Sequence, residues 1–237
     1  MQAFGAMTAG EGSRDPQSHR VRIWDLPVRL FHWCLVVLVS AAWYTAQIRA
    51  IQWHRAVGYA IATLVLFRLL WGFVGSTTAR FAHFVRGPHA LWTYARRELL
   101  VRRASLSAGH NPPGGWNVVA LLLLLSLQVA LGLFAVDVDG VASGPLSRWV
   151  SFDAGRRAAG LHHVIFNALL VLIGLHLAAL VYYRVHKRDS LVRTMVTGVR
   201  SSSSSPAPEM RFVSLRRALG VFVLSLVCVI AVVFGAG

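Results

Sequence analysis

Two cysteines, Cys34 and Cys228, are all that this 237-residue chain contains, and both lie in apolar runs. So small a number excludes a disulfide framework, a four-cysteine metal cluster and a CxxCH site for covalent haem. Both thiols read as packing residues. Acidic side chains are also scarce: nine Asp and Glu stand against 24 Lys and Arg, for a formal charge of +15. None of the nine falls inside an apolar run, which counts against ion transport and proton pumping, because those sites gather carboxylates near the bilayer midplane. Charged residues make up only 14% of the chain and hydrophobic ones 56%, so a soluble domain is excluded as the first reading. The first thirty residues lack an apolar core followed by a small-residue cleavage site. No cleaved signal peptide is expected, and the first span serves as its own insertion signal.

What the chain does have is a series of runs long enough to cross about 30 Å of hydrocarbon. They cover residues 28–47, 54–73, 116–136, 161–186 and 218–237. The expected fold is an all-α integral membrane protein, a four-helix transmembrane bundle with a C-terminal fifth transmembrane helix. Residues 1–20 read as a mobile N-terminal tail and residues 199–217, with SSSSSPAP, as a basic Ser-rich linker. Within the polar stretch 74–115, HALWTYARRELL reads as a short interfacial helix, and Asn111–Gly115 as the turn that ends the loop. Residues 137–160 read as a second loop. With the N-terminus in the cytoplasm, eighteen Lys and Arg fall inside and five outside, with Arg68 within a span. That asymmetry sets the orientation and accounts for the basic charge without nucleic acid. Trp24, Trp33, Trp53, Trp71, Trp92 and Trp116 mostly flank the spans, as interfacial aromatics do.

Histidine is the residue out of place. The fourth span carries His162 near its start and His176 fourteen residues later, just under four turns, so both lie on nearly one face and about 21 Å apart along the axis. His163 is about 140° away from His176 and off that face. His32 lies close to the start of the first span and His54 begins the second, while the third span has none. Depth then pairs His32 with His176 on the cytoplasmic side and His54 with His162 on the outer side. Intramembrane histidines are costly unless they bind something, and each pair reads as the two axial ligands of a haem iron. The four-helix bundle would thus hold two non-covalent haems b. Two imidazoles per iron leave no open position, which suits electron transfer. Arg68, fourteen residues after His54, is placed to meet a propionate of the inner haem. Arg55 is a second candidate, for the outer haem. His19, His83, His89, His110 and His186 lie in polar segments and are discounted.

The pieces VRIWDLPVRLFHW, HRAVGY, FRLLWGFVG, GHNPPGG and HHVIFN…GLH, spread over residues 21–198, resemble the bacterial cytochrome b561 family, including the related b-type subunits of nickel–iron hydrogenases. The resemblance implies four helices holding two haems b, with ligands on the first, second and fourth. That pattern falls on His32, His54, His162 and His176. It implies electron transfer between membrane quinone and a partner, such as a hydrogenase, a periplasmic c-type cytochrome or another oxidoreductase. The expected role is therefore an electron-transfer subunit in the bacterial inner membrane. A self-contained superoxide:quinone oxidoreductase is a second reading, in which Arg49, Arg55, Arg148, Arg156 and Arg157 would line the outer face. A haem-free membrane module or metal transporter is a third.

Overall fold

The computed structural model describes residues 19–97, 111–139, 142–202 and 210–235. Five helices in it are long and apolar enough to cross a membrane. They are α1 (Leu26–Gln47), α2 (Ile51–Val74), α5 (Pro112–Phe134), α6 (Phe152–Val185) and α8 (Leu215–Gly235). Short helices α3 (Phe81–Phe84), α4 (Pro88–Arg97) and α7 (Leu191–Thr197) lie between them. The protein is an all-α multi-pass membrane protein, and α4 falls where the interfacial helix was expected. Glu98–Leu100 of that segment lie outside the described residues, as do residues 1–18.

Three stretches differ most from the sequence reading, each for a local reason. Asn111 caps α5 by accepting from Gly114 N at 2.8 Å, and Pro112 opens the helix. Asn111–Gly115 is thus the start of a span, because a helix's first turn has no use for the proline N–H. Ser151 likewise caps α6, with Ala154 N donating to its hydroxyl at 3.3 Å, so residues 152–160 extend the helix into the expected loop. At 34 residues α6 is about 51 Å long, well beyond the roughly 30 Å needed to cross hydrocarbon. Finally, Val199–Ser202, expected within the linker, forms strand β2. It pairs antiparallel with β1 (His19–Arg22), whose first two residues were expected in the tail. This two-stranded ribbon marks one end of the bundle, here called the ribbon end. It is pinned at Gly198, whose φ of 78° suits glycine and whose carbonyl accepts from Ile23 N at 2.8 Å.

Asp25 ties the ribbon to the bundle. One carboxylate oxygen accepts from Val28 N at 3.0 Å as the cap of α1, and the other accepts from Trp71 Nε1 at 3.0 Å. The WDLP and FRLLWGF segments therefore meet as one buried joint, with Trp71 fully enclosed. The stretch after α2 holds the C-terminal segment too: Val213 N donates to Ser76 Oγ at 3.1 Å, and Thr77 N donates to Arg211 O at 3.0 Å. From there α8 runs along α2, with Phe222 edge-on to Phe67.

Candidate functional site

α1 packs on α2 and α5 on α6, and the two pairs join where α2 meets α5. Among the described residues, α6 packs along α5 but stands off from the backbones of α1 and α2. Histidine rings face each other across that space. At the ribbon end, His32 of α1 and His176 of α6 have ring centroids 6.5 Å apart with planes at 56°. At the far end, His54 of α2 and His162 of α6 are 6.2 Å apart at 81°. All four are half-buried.

At the far end the second nitrogen of each ring shows which lone pair is free. His54 Nδ1 lies 2.9 Å from Ala42 O, and His162 Nδ1 lies 2.9 Å from Gln128 O. A carbonyl only accepts, so in both rings Nδ1 carries the proton and Nε2 keeps an open lone pair. This is how proteins orient a metal-ligating histidine. At the ribbon end, Asn117 Nδ2 lies 3.4 Å from His176 Nδ1, and His32 Nδ1 is buried with no hydrogen-bond partner among the described residues. Gly132 lets α5 approach the far-end pair, since a Cβ there would stand 3.1 Å from His162 Cε1. Gly58, one turn after His54, leaves open space where a side chain would be.

The prokaryotic cytochrome b561 family matches residues 23–198. The chain belongs to that family. It is also 25% identical to a probable Ni/Fe-hydrogenase B-type cytochrome subunit of Rhizobium leguminosarum bv. viciae, over 84% of this chain and 95% of the relative. The counterpart from Azotobacter chroococcum mcd 1 is 25% identical over 82% and 95%. A probable superoxide oxidase of Yersinia pestis is 24% identical over 69% and 90%. No solved structure matches. This cytochrome is a multi-pass membrane protein of electron transfer, and its cofactor is haem b.

The chain's residues fit that group. Two imidazole nitrogens, each about 2 Å from a shared metal, put the ring centroids roughly 6 Å apart, as in both pairs. Arg68 fits as well: it is 2% exposed, flanked by the rings of Phe81 and Phe84 at 5.2 and 5.9 Å, and its Nη1 has no hydrogen-bond partner among the described residues. A buried guanidinium with an unmet donor is costly unless an acceptor reaches it. Arg55 is half-buried and spends Nε on Tyr59 Oη at 3.3 Å.

His163 is exposed beside His162, His83 and His89 are exposed, and His186 stacks on Tyr182. His110 lies outside the described residues, and His19 contributes backbone to β1. Sequence reasoning missed Asn117, Gln128 and Gly132. Of these Asn117 and Gln128 carried a signal, being polar residues inside an apolar span. Among the described residues no group of three or more His, Cys, Asp or Glu gathers around one point.

Proposed function

We propose that this cytochrome holds two haems b, one between His32 and His176 and one between His54 and His162, and carries electrons across the bacterial inner membrane. The observation that supports this most is the pair of facing imidazole couples at opposite ends of one bundle, 6.5 and 6.2 Å between centroids. Haem iron supplies reversible one-electron exchange when bound. His32 with His176 and His54 with His162 would each hold one haem through imidazole nitrogen, the carbonyls of Ala42 and Gln128 would orient the far-end rings through Nδ1, and the apolar walls would keep water out. Arg68 would meet a propionate at the ribbon end, and Arg55 one at the far end. The ribbon end carries the excess of Lys and Arg and is assigned to the cytoplasm, together with the N-terminus. Residues 21–198 form the di-haem unit.

The electrons pass between the quinone pool and a redox partner, either a hydrogenase, a c-type cytochrome or another oxidoreductase. The relatives named as hydrogenase cytochrome subunits match over nearly their whole length, which favours a subunit role. Anaerobic addition of a short-chain quinol to the oxidised cytochrome tests the quinone. Haem reduction within seconds is expected, and no reduction in a sample that dithionite does reduce would remove quinone from the account. The second reading, a self-contained superoxide:quinone oxidoreductase, is favoured by Arg49, Arg148 and Arg157 exposed or partly exposed at the far end and by the Yersinia relative's name. Rapid haem reduction by a pulse of superoxide would support it.

A further inference from the structure

The two pairs differ in what holds their Nδ1 atoms. Both far-end rings donate to main-chain carbonyls at 2.9 Å. At the ribbon end His32 has no such partner among the described residues, and His176 has only the Asn117 amide at 3.4 Å. An acceptor on Nδ1–H pushes electron density toward Nε2, makes the ring a stronger donor and favours the oxidised metal. Building on the two-haem reading, we propose that the ribbon-end site has the higher reduction potential, and that Asn117 is the side chain that sets it.

α5 carries no histidine, yet it touches both pairs. Asn117 and Gln128 are eleven residues apart, close to three full turns, so they share a face of α5 directed at α6. The Gln128 contact is a backbone carbonyl that no substitution removes. The Asn117 contact is a side chain and can be changed. With Nε2 engaged, His176 Nδ1 keeps its proton and donates. A half-turn of the Asn117 amide then presents Oδ1 as the acceptor. Asn117 is a positioning and tuning residue that acts on the metal through His176. The difference between the sites makes transfer from the far end to the ribbon end the downhill direction.

Full-length cytochrome, with its haem quantified, is titrated optically against potential as parent, His32→Ala, Asn117→Asp and Asn117→Leu. Two waves are expected in the parent and only the lower one in His32→Ala. Asn117→Asp puts a stronger acceptor on Nδ1–H and lowers the upper wave, by on the order of tenfold in the reduced-to-oxidised ratio, or about 59 mV for one electron. Asn117→Leu removes the acceptor and raises the same wave by less. The lower wave stays in place in both. A merely structural role would move the two variants in one direction. Upper waves that do not move, that move together in one direction, or that move along with the lower wave overturn the proposal, as does survival of the upper wave in His32→Ala. If Asn117→Asp loses haem, the apolar and nearly isosteric Leu variant decides. Fewer than two haems in the parent would refute the two-haem reading itself, whereas two haems with unmoved waves refute only the tuning.

Discussion

Each histidine ring faces one counterpart across the bundle, so single substitutions separate the two sites. His176→Ala should remove the ribbon-end haem and spare the far-end one, halving haem per chain in the absorption spectrum. Loss of both, or of neither, would break the pairing. Gly132→Ala would place a methyl 3.1 Å from His162 Cε1, tight enough to displace the ring. Haem per chain should fall through the far-end site alone, with the ribbon-end spectrum unchanged. The meeting of His32 with His176 and of His54 with His162 is legible in the sequence, because helical periodicity and depth need only one helix at a time. The partners of Nδ1 are not legible in that way. They depend on which carbonyl or amide of a neighbouring helix comes to face the ring, and that is decided by packing.

At the scale of elements, the joint at Asp25 holds the entry of α1 against the end of α2. Asp25→Ala removes a helix cap and leaves the Trp71 N–H buried without its acceptor. The cost should be about 2–3 kcal/mol, read as a lower thermal midpoint of the purified protein. Asp25→Asn keeps one acceptor oxygen but turns its NH2 toward the other N–H, so it loses one of the two bonds and should cost less than Asp25→Ala. Helix boundaries show where sequence signals mislead. Asn-Pro-Pro-Gly-Gly contains every residue of a turn, yet the same Asn and Pro are the preferred first residues of a helix. The apolar run behind them decides between the two. Ser151 is a plain N-cap, hidden because Arg156 and Arg157 make the segment after it look like loop. The ribbon could not be read at all, since β1 and β2 lie some 180 residues apart and neither alternates strongly.

For the whole molecule, α8 is bound to the rest of the fold at its root and along its length. Ser76 and Thr77 anchor the segment before it, and its buried Ser225 and Ala218 face inward. It lies along α2 and takes no part in either histidine pair. Ending the chain after residue 209 should therefore lower the thermal midpoint by several degrees and leave the haem spectrum as it was. Loss of haem on truncation would make α8 part of the binding site. The basic ribbon end, the apolar faces of the five spans and the two histidine depths together support the proposal of a redox site near each side of the bilayer.

That claim meets its most direct test in the haem content of detergent-purified protein, measured together with a reduced-minus-oxidised spectrum. The account predicts two non-covalent, low-spin haems b per chain, extractable by acidic organic solvent. One haem per chain, or a high-spin spectrum showing an open axial position, would contradict it.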